Sequence, residues 1–313
     1  MKRFYAIIAI LMLVFLVGCQ QQDQKKTTTG KSFIGGTEGL DMKFLTGAPP
    51  DSVFDTDNPF SISVRIENKG EYSIENKADA TVEITGINAA DFGVTQASLK
   101  KDVPEALMKS SLDASGNIIQ GTVTTVDFEN LQYKGKVSGT VPFTLQANVC
   151  YEYGTKAQAK LCVLKDLLGK TGTAQLCNPN NQAIVAESSG APVQVVSMSQ
   201  NVLGANKVSF TFKIKNSGAG TLHQKGTECD SSIPMKDKIW VEVKDTGLGT
   251  LECSGLKDGT KTTGFVTLYN NEAQVRCTQT ISNPADFEKL VEIELKYGYK
   301  QSIQKTLSVK QAS

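Results

Sequence analysis

Apolar and polar residues alternate in short runs along most of this chain. Residues 60–70 read FSISVRIENKG and residues 208–218 read VSFTFKIKNSG. A period of two marks a strand with one buried face, and the Asn-x-Gly that ends each run supplies a turn. The same alternation predicts strands at Val82-Glu83-Ile84, Leu251-Glu252-Cys253 and Val275-Arg276-Cys277, and around Tyr151 and Tyr297. Turn chemistry such as Asp113-Ala114-Ser115-Gly116, Lys134-Gly135 and Asp245-Thr246-Gly247 separates them. No long stretch has a helical period, although the pieces opening at Pro104 and Pro284 suit one helical turn each. The expected class is all-β, with short strands at the spacing of antiparallel sandwiches.

The two alternating runs are also copies of each other. A shift of 148 lays Ile62 on Phe210, Val64 on Phe212, Ile66 on Ile214, Asn68 on Asn216 and Gly70 on Gly218. Residues 151–163 (YEYGTKAQAKLCV) match residues 297–309 (YGYKQSIQKTLSV) at a shift of 146. Landmarks in the same order at nearly the same separation indicate a duplicated unit. Val82-Glu83-Ile84 corresponds to Val241-Glu242-Val243 at a shift of 159, so the second copy carries an insertion of about eleven residues, and Cys229 lies in it. The predicted organisation is two tandem Ig-like antiparallel β-sandwich domains, 37–165 and 190–313, joined by a linker at 166–189.

The amino-terminal residues differ from the rest. Met1-Lys2-Arg3 precede a mostly aliphatic run from residue 4 to 17, and then Leu16-Val17-Gly18-Cys19. Cations, an apolar stretch and a small residue before the cut make a secretory signal. The passage resembles a bacterial or archaeal lipobox, which implies a signal peptide over 1–18 and a lipid on Cys19. A plain cleaved signal or a short anchor is the alternative; the run falls short of the roughly 20 apolar residues that span a bilayer. Residues 19–36 are polar and aperiodic and read as a flexible tether. The expected location is the cell envelope, on the outer face of a membrane.

Composition adds exclusions. The chain has 33 Lys and Arg against 32 Asp and Glu, and removing residues 1–18 leaves a net charge of −1. A near-neutral chain has no electrostatic footprint for nucleic acid. The segments GAPP (47–50), IENKG, CYEY, GAPV (190–193), IKNSG and KYGY resemble Ig-like and CARDB-like domains of prokaryotic surface proteins, and together they resemble membrane-anchored archaeal proteins. That resemblance spans most of residues 37–310. It implies a fold and a surface location, and no activity comes with it.

Six cysteines remain beyond Cys19, at 150, 162, 177, 229, 253 and 277. An even number in an exported chain indicates disulfides. A hairpin with Tyr151 opposite Leu161 would place Cys150 across from Cys162. Cys253 and Cys277 lie in strand-like runs, each on the side of an apolar residue two positions away, and are expected to pair, closing a loop worth about 3.5 kcal/mol in chain entropy. Cys177 with Cys229 would then clip the linker to the second copy; the alternative is Cys162 with Cys177 and the other partners reshuffled. The cysteine spacing is not that of a zinc site, and no metal is expected.

Candidate chemistry is sparse. His223 is the only imidazole, and it stands in an apparent loop with no nucleophile motif around it, so it reads as a surface histidine. The acidic run Asp51, Asp55, Asp57, Asn58 lacks the Gly and terminal Glu of an EF-hand and reads as turn chemistry before Pro59. Tyr151, Tyr153, Tyr297 and Tyr299 share strand faces with aliphatic residues, which predicts core packing with the phenols at the rim. Trp240 is out of phase with Ile239, Val241 and Val243 and is the one candidate contact residue. The expectation is a non-catalytic surface lipoprotein without cofactor, acting in adhesion, envelope scaffolding or binding of a protein or envelope polymer. The rival is a solute-binding or enzyme-accessory subunit using the cleft between the copies.

Overall fold

The computed structural model describes residues 31–56, 58–169, 176–181 and 183–312. The leader, Cys19, most of the tether and Asp57 lie outside these residues. In the first copy the strands are β1 (Leu40–Phe44), β2 (Ser52–Phe54), β3 (Phe60–Asn68), β4 (Ala80–Thr85), β5 (Lys100–Asp102), β6 (Ser111–Leu112), β7 (Ile118–Ile119), β8 (Val123–Leu131) and β9 (Thr140–Val163). The second copy contributes β10 (Glu187–Ser188), β11 (Val193–Gly204), β12 (Lys207–Asn216), β13 (Thr221–His223), β14 (Lys238–Val243), β15 (Leu251–Ser254), β16 (Thr263–Thr267), β17 (Glu272–Thr280) and β18 (Phe287–Lys310). The described residues are all-β apart from three 3-10 turns at 77–79, 89–92 and 96–99. The pieces after Pro104 and Pro284 are not helical; the second leads directly into β18.

The long strands β9 and β18 join the copies. They pair antiparallel along all 24 residues of each, from Thr140 opposite Lys310 to Val163 opposite Phe287. Strand side chains alternate between faces, and here one face is mostly apolar, with Thr155 and Gln301 as polar positions in it. Leu145, Ala147, Val149, Tyr151, Tyr153, Ala157, Ala159 and Leu161 are buried on β9, and Val291, Ile293, Leu295, Tyr297, Tyr299, Leu307 and Val309 on β18. Two smaller antiparallel sheets, β1-β3-β8 and β11-β12-β17-β15, supply their own apolar faces to the same continuous core. Residues 37–165 and 190–313 therefore do not form separate sheets, and residues 32–313 cluster as one unit.

The register reveals a pseudo-twofold axis. The shift of 146 that relates the two tyrosine motifs carries Glu152 onto Gly298, and these two residues stand directly opposite each other. The equivalence extends outward: Val82 on β4 faces Val149 on β9, and Val241 on β14 faces Leu295 on β18.

The four tyrosines fill the core at this axis. They are at most 1 % exposed, with neighbouring ring centroids 5.4–6.5 Å apart. Such ring pairs contribute about 0.5–1.5 kcal/mol each beyond burial. Their phenols are not at the rim, as expected, but end inside on fixed partners. Tyr153 donates to Oδ1 of Asn68 at 2.9 Å, and Tyr299 donates to Oδ1 of Asn216 at 3.3 Å. The Tyr151 hydroxyl accepts from Leu40 N and meets Gln301, while the Tyr297 hydroxyl accepts from Val193 N and meets Thr155. Thr155 and Gln301 are themselves equivalent under the 146 shift.

The same contacts explain the Asn-x-Gly motif. A Cβ on Gly70 would lie 2.2 Å from the Tyr153 hydroxyl, and one on Gly218 would lie 2.3 Å from that of Tyr299. Glycine is needed here to seat a phenol. Each asparagine also donates to a carbonyl four residues on, Tyr72 O for Asn68 and Gly220 O for Asn216.

All six described cysteines are in disulfides, and one of the three predicted pairings stands. Cys253 lies directly opposite Cys277 in the β15–β17 ladder and is bonded to it. Cys150 is bonded to Cys229 instead of Cys162, and Cys162 to Cys177, the alternative pairing. The predicted hairpin does not exist, because β9 runs through residue 154 without turning. Twelve residues of strand put about 40 Å between Cys150 and Cys162. Gly154, inside the strand, serves close approach: a Cβ there would meet the Tyr72 ring at 2.5 Å.

Candidate functional site

The even-numbered residues of β9 and β18 form the opposite, polar face of the shared sheet. Glu152, Lys156, Gln158, Glu292, Glu294 and Lys296 belong to it. Two pieces of chain cross this face near the pseudo-axis. From the first copy comes Tyr72, packed over Gly154 with its ring 5.4 Å from that of Tyr153. From the second comes the insertion, tied down by Cys229 to Cys150 and by Gly226 N, which donates to Glu152 at 2.7 Å.

Beside them is a groove of about 520 Å³, lined by Glu71, Tyr72, Glu75, Asp79, Lys109, Glu152, Lys156 and Glu294. Both copies contribute. Its carboxylates are not equivalent. Glu71 accepts from Gly35 N at 3.0 Å and Gly190 N at 2.6 Å, so it fastens the start of the folded chain and the start of the second copy to one point. Glu294 pairs with Lys244 and Lys296. Burial pushes the Glu152 carboxyl up, against the opposing effect of the Gly226 N–H. Burial, followed by the charge of Glu294, raises the Tyr72 phenol. The groove can therefore offer negative charge and one aromatic edge to a bound group, with Lys109 and Lys156 as the only cations along its walls.

His223 is only 1 % exposed, contrary to the expectation of a surface residue. Its Nδ1 lies 2.8 Å from Asp230 O and its Nε2 3.1 Å from the Thr221 hydroxyl. A carbonyl can only accept, so Nδ1 donates to Asp230 O, and Nε2 shares a hydrogen bond with the Thr221 hydroxyl. Both nitrogens hold the insertion in shape. The sequence position looked like a loop because the insertion supplies the covering residues.

Trp240 is on the polar face, as its phase predicts, and is half-buried. Lys225 Nζ stands 4.7 Å over its ring and Phe265 meets its edge at 4.8 Å. Among the acidic residues of the 51–58 run, Asp55 is buried and accepts from Val137 N and Ala312 N, with Lys136 beside it. These donors hold its carboxyl below the ordinary range. Among the described residues no three His, Cys, Asp or Glu side chains are grouped to hold a metal ion, and no helix is long and apolar enough to cross a membrane.

Tyr72, Glu71 and Glu152 carry the groove, and none was a sequence candidate. Gly154 was the available signal, since a glycine inside an apolar strand marks the approach of another group. No protein-family model matches this chain, and no curated protein matches it.

Proposed function

We propose that this chain is a non-catalytic protein of the cell envelope, held through Cys19 on the outer face of a membrane and acting by binding a partner, in adhesion or envelope scaffolding. The observation that supports the binding role is the groove beside the pseudo-axis, which draws its walls from both copies. The framework around it is stiff: a 24-residue strand pair, a buried tyrosine quartet and the Cys150–Cys229 bond all meet there. A preformed surface loses little conformational freedom on binding. The lipobox-like passage at Leu16–Cys19 and the polar stretch after it support the anchored location.

Two measurements test this. Mass spectrometry of the mature protein is expected to find a diacylated peptide beginning at Cys19; an unmodified amino-terminal peptide overturns the anchor. Proximity labelling on intact cells is expected to recover neighbours that are lost in a Glu75→Gln, Asp79→Asn variant; an unchanged set removes the groove from the role. A second reading, a solute-binding subunit, draws support from the groove volume, which falls in the roughly 300–1,000 Å³ range of small-molecule sites. Thermal stabilisation of the protein by a small cationic solute, absent in the same variant, would favour it.

A further inference from the structure

Strands β6 and β7 form a small antiparallel finger, with Ser111 opposite Ile119 and Leu112 opposite Ile118. Its tip is a tight turn in which Asp113 accepts from Ser115 N, Asn117 N and Asn117 Nδ2. The turn uses up the only acidic side chain of the finger. Ile118 is 59 % exposed and Ile119 54 %, and Met108 and Val123 at the base are 51 % and 44 % exposed. Four large apolar side chains on one projection are not explained by folding, since none of them enters the core.

Ile118 and Ile119 are neighbours in a strand and so point to opposite faces of the finger. A flat protein surface can cover one of them. A fluid interface into which the tip dips can cover both. The base of the finger is held by the segment 70–73: Ser110 N donates to Gly70 O at 2.8 Å and Lys109 N to the Ser73 hydroxyl at 3.1 Å. That same segment receives the start of the folded chain, through Gly35 N on Glu71. Gly35 follows Cys19 by sixteen positions, which limits their distance to about 55 Å at full extension. The base of the finger and the first described residues therefore meet on the same segment, 70–73.

We infer that the β6–β7 finger contacts lipid, dipping Ile118 and Ile119 into the surface of the membrane that holds the chain. The inference rests on the anchored reading above. Its test uses the full-length lipidated protein in phosphatidylcholine vesicles, with brominated acyl chains as the probe. In a Trp240→Phe background, tryptophan is placed by Ile118→Trp on the finger, or by Tyr269→Trp at a turn of the second copy that is 77 % exposed. Flotation with the vesicles and at least threefold stronger quenching at 118 than at 269 is the expected result. A protein that floats but is quenched equally at the two positions overturns the finger contact alone, and leaves a protein partner as the finger's occupant. A protein that does not float overturns the anchor, and the inference with it. Hydrogen exchange on the unsubstituted protein gives an independent measure, with vesicles expected to slow exchange in residues 111–119 at least fivefold; no slowing in floated protein overturns the inference.

Discussion

The phenol of Tyr153 reaches 2.9 Å from Oδ1 of Asn68, across 85 residues of sequence, through the space left by the missing side chain of Gly70. Tyr299, Asn216 and Gly218 repeat the arrangement. In each copy a strand-ending motif is thus locked to the long central strand by one buried hydrogen bond. Each lock is internal to its copy, and the locked tyrosines join the copies through their rings, Tyr153 on Tyr297 and Tyr151 on Tyr299.

Removing the asparagines tests that lock. Asn68 has no exposed surface and also donates to Tyr72 O and Leu107 O, so Asn68→Ala takes the amide partner from the Tyr153 hydroxyl and Tyr72 O, while Leu107 O keeps Ile74 N. At about 1–3 kcal/mol per unsatisfied group, partly relieved by relaxation, a loss of about 3–5 kcal/mol is expected. Asn216 has a single carbonyl partner and a longer phenol contact. Urea denaturation of Asn216→Ala is expected to show a smaller loss, and equal losses would contradict the account.

Alkaline pH should undo the tyrosine core. Burial raises Tyr151, Tyr153 and Tyr297 well above the ordinary phenol range and pushes Tyr299 up to about 12. The native state thus keeps protons that the unfolded chain releases near pH 10. The stabilisation is complete below pH 10 and falls as pH rises toward the folded values, by up to about 1.4 kcal/mol per pH unit for each tyrosine. Absorbance of tyrosinate should rise together with loss of β circular dichroism above pH 10. A gradual ionisation of all eight tyrosines with the fold intact would show that the phenols are not held as described.

The Cys150–Cys229 bond has the largest span of the three, 79 residues. In the chain-entropy model such a closure contributes about 4.5 kcal/mol, against about 3 for the 15-residue separation of Cys162 and Cys177. Peptide mapping without reduction should recover 150–229, 162–177 and 253–277. The Cys150→Ser, Cys229→Ser double variant should lose the most stability of the three corresponding pairs in calorimetry.

Lys225 and Trp240 are expected to be coupled by about 0.5–1 kcal/mol, the range of a partly exposed cation–π contact. A double-mutant cycle with Lys225→Gln and Trp240→Phe measures this. A coupling of zero would leave Trp240 free to act as the contact residue that its sequence position suggests.

Much of this fold was legible in the chain, and the exceptions share a cause. Alternation at 60–68 and 207–216 reports burial of one face, which is local, so β3 and β12 were readable. Phase also placed Trp240 away from the core and Cys253 beside Cys277. What local pattern does not carry is the partner. YEYGTKAQAKLC is equally compatible with a hairpin and with a 24-residue strand, and only β18, some 147 residues later, decides between them. The wrong disulfides followed from that one choice. His223 went astray similarly, because its burial comes from residues up to Asp230 that fold back over it. The groove was invisible for the same reason, being assembled from residues between 71 and 294.

The axis between Glu152 and Gly298 also accounts for the insertion being confined to the second copy. The insertion touches both sides of it, with Gly226 on Glu152 and Gln224 O within 3.4 Å of where a Gly298 Cβ would stand. Any loop that straddles a twofold would overlap its own symmetry mate, so two equal copies cannot both carry one. The chain had room for a single lid at this point. Once one copy had acquired it, the halves were free to diverge: a carboxylate on one side to receive the lid, and a bare backbone on the other to let it pass.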